Sequence, residues 1–206
     1  MIKEIIPKQV YKISFGNLNS NCYLLDYDDR KILIDSCDYK SRQKLIDSFR
    51  QLKIESKDIN AVLLTHLHFD HSGNAPLFKE SKIYASKAEI DSFNENPAKA
   101  VSADALLRQE YLIKELKTIT MHPLSELDIP GIEVIDVPGH TIGSVAFYLE
   151  KERILFTGDT LFKEDGTVRG RTYMQTSVPE KMEKSVKKLM KILESGSCRL
   201  CAGHEI

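Results

Sequence analysis

The chain has 206 residues, 42% hydrophobic and 29% charged, with 29 Lys and Arg against 30 Asp and Glu for a formal net charge of −1. That length buries a substantial core, and the even charge balance excludes a basic footprint for nucleic acid or an anionic membrane. No apolar run approaches the roughly 20 residues of a membrane span, and the opening MIKEIIPKQVYKI lacks an apolar secretory core. The reading is a single domain over 1–206, cytoplasmic, with neither membrane nor nucleic acid as partner.

In chain order, QVYKISF and NCYLLDY alternate loosely as strands, and KILIDS follows after the turn DDR, so that NCYLLDYDDRKILID reads as a hairpin. YKSRQKLIDSFRQLKI places Leu45, Ile46, Phe49 and Leu52 at helical spacing. INAVLLT is a short apolar run of strand length, buried on both faces. From Ala75 to Thr120 the pattern is mostly helical, and NPAKAVSADALLRQEYLIKELKTI predicts about five turns starting at Pro97. Its apolar stripe (Val101, Ala105, Leu106, Leu107, Leu112, Ile113, Leu116) is broad for one core face. The stripe could pack on the body, cover a site or meet a second copy of the chain as a homodimer; ordinary packing is the simplest reading.

Strands return with IEVIDV, SVAFYLE and RILFTGD, the last two joined by the polar turn EKER, and KEDGTVRGRTYMQTS then reads as a long irregular stretch. A helix is predicted from about Val178, with Met182, Val186, Leu189, Met190 and Leu193 on one face and lysines 181, 184, 187, 188 and 191 as a solvated face. CRLCAG is a last strand. Both halves begin with strands and end with a helix, a pattern compatible with a distant duplication. Cys22, Cys37, Cys198 and Cys201 are expected to be reduced thiols. The C-x-x-C of the last two suggests a metal knuckle or a redox pair, but no second C-x-x-C completes a thiolate site, and buried small hydrophobes are the better reading.

Three of the six histidines fall in LLTHLHFDHSGN, Leu63 to Asn74. At a strand end, side chains two apart project to one side, so His66 and His68 present imidazoles to one cation. Asp70 and His71, beyond the turn, aim at a second point nearby. Imidazole and carboxylate suit zinc and accept iron or manganese. His140 in VIDVPGHTIGS, Asp159 in ILFTGDTLF and His204 in LCAGHEI each follow a predicted strand and a glycine, where scaffolds place functional groups. His122, in TMHPLSE, has no such setting and is read as a loop histidine without a ligand role.

Together THLHFDHSGN, PGHTIGS, GDTLF and AGHE, with the strand-rich start NCYLL…ILIDS, resemble the metallo-β-lactamase superfamily of hydrolases. The resemblance implies an α/β protein of the αββα four-layer type, with a metal site at one edge. It implies two divalent ions, zinc foremost and iron or manganese as alternatives. His66, His68 and His140 would hold one, Asp70, His71 and His204 the other, and Asp159 would bridge them. Asp70 is also expected to act in catalysis, orienting the nucleophile and shuttling its proton.

Within the superfamily, GDTLF followed by GRT (Gly170 to Thr172) resembles the glyoxalase II-like thioesterase branch, with a small acyl thioester or related ester as substrate. No cysteine stands at a β-lactamase ligand position. Classical glyoxalase II enzymes continue into a helical domain that helps bind glutathione, whereas this sequence stops two residues after His204, so a glutathione thioester is not the expectation the resemblance carries. Related acyl-homoserine lactonases have a tyrosine where this chain has Phe162. Persulfide dioxygenases, with one iron on the equivalents of His66, His68 and His140 or a similar subset, are the oxidoreductase alternative, and tRNA-processing phosphodiesterases a further one. Tyr173 could approach the substrate, with loop packing the simpler role. Arg171 and the helical 85–120 segment receive no assignment.

Overall fold

A computed structural model describes residues 1–16, 20–102, 106–171, 176–196 and 198–205, with backbone only for 106–108. A first sheet has seven strands in the order β1 to β7: Ile2–Ile6, Val10–Ile13, Cys22–Tyr27, Arg30–Ile34, Ala61–Leu63, Lys82–Ala85 and Met121–Pro123. β1 to β4 pair antiparallel, and β4 to β7 parallel. The β3–β4 turn is Asp28–Asp29, both with positive φ (52° and 57°), the backbone that matches a two-residue turn to strand twist. The second sheet runs β13-β10-β9-β8, with β8 Ile132–Asp136, β9 Val145–Leu149, β10 Ile154–Phe156 and β13 Arg199–Cys201. β9 is antiparallel to both neighbours while β13 is parallel to β10, so β8, β10 and β13 end at the same edge.

The two sheets pack face to face because their strands are apolar on both faces. Tyr23, Leu25, Ile32, Ile34, Leu63 and Tyr84 from the first sheet meet Val145, Phe147, Leu149, Ile154 and Phe156 from the second. Alternate residues point outward. Leu24, Leu33, Val62 and Ile83 carry the helices α1 (Arg42–Gln51), α3 (Lys87–Glu95), α4 (Pro97–Val101) and α5 (Leu106–Leu116) through Leu45, Phe49, Phe93, Val101, Leu112 and Leu116. Ile135, Ala146, Leu155 and Leu200 carry α6 (Pro179–Glu194) through Leu189. The result is the αββα sandwich expected from the motifs. Where described, the broad stripe of α4 and α5 packs on the body, with Val101, Leu112 and Leu116 fully buried; Ala105 and the side chains of Leu106 and Leu107 lie outside the described residues. Among the described residues no helix is long and apolar enough to cross a membrane.

Three local expectations need correction. The five-turn helix from Pro97 is broken: Ser102 takes a left-handed conformation (φ 43°) that ends α4, because a right-handed helix cannot continue through it. The mostly helical 75–120 segment contains β6, four residues long, and is followed directly by β7, three residues long, both too short to show a period of their own. The irregular stretch after Asp159 begins with a hairpin, β11 (Leu161–Glu164) and β12 (Thr167–Gly170), whose Asp165–Gly166 turn has φ of 47° and 77°. That Asp-Gly pair is a hairpin signal in the sequence itself. Thr172 and Tyr173 lie outside the described residues.

Candidate metal centre

Every candidate donor sits just past the carboxyl end of a strand. His66 and His68 follow β5, and His68 caps the single helical turn α2 (Phe69–Ser72) that carries Asp70 and His71. His140 follows β8, Asp159 follows β10 and His204 follows β13. Since β8, β10 and β13 end together, three donors separated by tens of residues arrive at one edge and meet the β5 loop there. His122 stands apart: it lies on β7, not in a loop, its ring tilted against Tyr84 (centroids 5.7 Å apart) with Nδ1 3.4 Å from Glu126.

The donors fall into overlapping clusters. One ligand atom from each of His66, His68 and His140 lies within 4.8 Å of the others; the same holds for Asp70, His71 and His204, and for His66, His71 and Asp159. Asp159 faces both triads. Its Oδ2 is 3.3 Å from His140 Nε2, while its Oδ1 is 3.0 Å from His71 Nε2 and 3.3 Å from His204 Nε2. Asp70 Oδ2 is 3.2 Å from His204 Nε2. All seven residues singled out in the sequence therefore converge.

Protonation follows from burial and neighbours. Burial and the imidazoles of His71, His68 and His140 hold His66 well below the usual imidazole pKa. Burial, reinforced by His140, pushes His68 down to about 3. Both are neutral and offer a lone pair. Burial opposes the charge on Asp159, yet His71 and His204 hold its carboxyl well below the usual range. Asp70 is lowered against burial by His71 and His204. Burial also opposes a proton on His71, but Asp159, Asp70 and Asp35 outweigh it and raise that pKa.

These residues fit metal cations. His66 Nε2 is buried without a hydrogen-bond partner, a costly condition for a core histidine and the natural one for a ligand. Two carboxylates among five imidazoles are a donor set for zinc, iron or manganese.

The supporting residues are those that sequence reasoning missed. Asp35, just past β4 at φ 56°, accepts from Thr65 N (2.8 Å) and from the Thr65 hydroxyl (2.9 Å to Oδ2), and its Oδ2 lies 2.8 Å from His71 Nδ1. That contact fixes which His71 nitrogen faces the donors. The Ser36 hydroxyl donates to His71 O (2.9 Å), and Asn74 Nδ2 donates to the carbonyls of Ser36 (2.8 Å) and Asp38 (2.9 Å). The sequence signal for Asp35 was a lone acid ending the apolar strand KILID. Arg171 pairs with Asp159 Oδ2 and donates to its carbonyl at 3.2 Å. Among the described residues the C-x-x-C joins no donor cluster, and all four thiols are free, with Cys201 buried and Cys198 half-buried.

A four-layer sandwich with His and Asp side chains gathered in two triads, both faced by one carboxylate, defines a dimetal-site protein of the metallo-β-lactamase fold. The chain belongs to the metallo-beta-lactamase superfamily, whose model matches residues 15–204. It is 30% identical to a hydroxyacylglutathione hydrolase of Methylobacillus flagellatus across 98% of this chain, and it spans 66% of that relative's length. It is 22% identical to an N-acyl homoserine lactonase of Bacillus thuringiensis, covering 92% of this chain and 82% of the lactonase. Among solved structures, that of TTHA1623 in a di-iron-bound form superposes with a TM-score of 0.68 at 28% identity, covering 94% of this chain and 91% of the other.

Proposed function

We propose that this chain is a dinuclear metal-dependent hydrolase that opens a thioester or a related acyl ester. The observation that carries the reading is the split of Asp159, one oxygen toward His140 and the other toward His71 and His204, the arrangement of a carboxylate shared by two cations. His66, His68 and His140 would hold one ion, and Asp70, His71 and His204 the other. Bound cations supply Lewis acidity and make a nucleophile of water near neutral pH. The hydroxyacylglutathione hydrolase likeness supports a thioester as the bond cut. The donor set suits zinc, and the likeness to a di-iron-bound structure supports iron as the alternative ion.

Asp70 and Asp159 divide the remaining work by exposure. The Asp70 side chain is 14% exposed and that of Asp159 only 4%. Asp70 can thus reach a water from the solvent side, orient it and accept its proton at Oδ. Asp159 stays buried as the shared ligand. A one-iron oxygenase reading uses His66, His68 and His140 and leaves the second triad without a task.

Elemental analysis of the purified protein, followed by a panel of thioesters, lactones, phosphodiesters and a persulfide with oxygen uptake recorded, tests this. Two ions per chain and chelator-sensitive thioester turnover are expected. One iron with oxygen consumption, or turnover of phosphodiesters alone, would overturn it.

A further inference from the structure

The segment Ser86–Glu89 reads SKAE, the spacing of a helix capping box, in which the acid returns to the cap residue's own amide. Half of that box forms: Ser86 Oγ accepts from Glu89 N at 3.2 Å. The Glu89 carboxylate is spent elsewhere. Its Oε2 accepts from Leu67 N at 2.9 Å and its Oε1 from Gly143 N at 3.0 Å, with the Thr141 hydroxyl also hydrogen-bonded to it. Leu67 stands between His66 and His68, and Gly143 lies three residues past His140. Glu89 is only 2% exposed, and an ionisable group is kept in such a place at a cost unless its bonds do something an apolar residue could not.

The seat around it is close-built. Ser86 Oγ also donates to Gly143 O at 2.7 Å. A Cβ on Gly143 would fall 2.6 Å from Glu89 N and 2.4 Å from Ser86 Oγ, so only glycine lets the His140 loop lie against the start of α3. Two loops from two different sheets are thereby tied through one side chain.

We propose that Glu89 is a positioning residue that clamps the His66–His68 loop to the His140 loop, so that their three imidazoles meet at one cation. The inference rests on the reading of that triad as the ligand set of one ion. Glu89→Gln keeps the shape but turns an amide NH2 toward one of the two backbone N–H groups, so one tie is lost. Among the described residues Glu89 makes no hydrogen bond to the second triad, and this asymmetry is what a general packing role lacks.

The full-length protein, stripped of metal, is titrated with zinc against a chromophoric chelator, and its metal-free melting temperature is recorded. Glu89→Gln is expected to weaken one of two ions by about 10–100-fold, the scale for residues that orient ligands, and to leave the other unchanged. His66→Ala should lose that same ion, and the double variant should bind the remaining ion as His66→Ala does. Phe49→Leu, in the α1 core, should lower the melting temperature while binding both ions as the wild type does. Glu89→Gln binding both ions normally, or weakening both in parallel, overturns the clamp with the ligand reading intact. His66→Ala retaining both ions would instead sink the ligand reading, and the clamp with it.

Discussion

His71 Nδ1 lies 2.8 Å from Asp35 Oδ2, and both side chains are buried, at 0% and 3% exposure. The contact leaves His71 Nε2 facing Asp159 and Asp70. Asp35→Asn removes the charge that orients the ring and disturbs the bonds from Thr65. Weaker metal binding by about 10–100-fold is expected, with a stability loss of about 1–3 kcal/mol for the disturbed buried partners. Competitive metal titration and denaturant unfolding of the metal-free protein check the two separately. Wild-type affinity in this variant would show that Asp35 does not orient His71.

Gly203→Ala strikes the centre without replacing any of the seven candidate donors. Its Cβ would sit 2.7 Å from Asp159 Oδ1 and 2.8 Å from His71 Cε1. Neither neighbour can yield without moving the Asp159 carboxylate or the His71 ring. The variant should fold, bind fewer than two ions and lose most turnover, as read by elemental analysis and a thioester assay. Full occupancy would mean that the Asp159–His71 spacing is not what the centre requires.

Removing the metal should lower stability by mass action. With free ion at about 1,000 times Kd, binding adds about 4 kcal/mol to the folded state, which for a chain of this size is on the order of 10 °C in Tm. Calorimetry with and without chelator measures it. A Tm indifferent to zinc and iron alike would argue against a centre shared between the two sheets.

Asp159→Ala should lose at least one ion and most hydrolysis, because it deletes the group that faces both triads. His122→Ala should change neither, since its ring packs on Tyr84 away from the donors. A dead His122 variant beside a normal Asp159 variant would reverse the assignment.

The cysteines should react in two phases with a thiol reagent under native conditions. Burial pushes the Cys201 thiol up to about 12 and raises Cys37 well above its ordinary value, and Cys22 is also buried. Cys198, half-buried, should label first and the other three only on unfolding. Rapid labelling of Cys201 would contradict the packing of β13.

The sequence by itself determined which seven candidate donors to single out and the class of scaffold. Seven chemically unusual side chains stood just past strand ends, and strand-length apolar runs alternating with amphipathic helices allow few sandwiches. It also marked α1 and α6, whose apolar residues recur over several turns. β6 and β7 escaped because three or four residues carry no measurable period, and the break at Ser102 escaped because a left-handed serine has no mark in composition. Only the tertiary structure decided that Asp159 turns one oxygen to each triad, that Asp35 orients His71, and that Glu89 abandons its capping box for the amides of Leu67 and Gly143. Those are relations between segments tens of residues apart, and they come into being only when the ends of β4, β5, β8, β10 and β13 are packed against one another at a single edge.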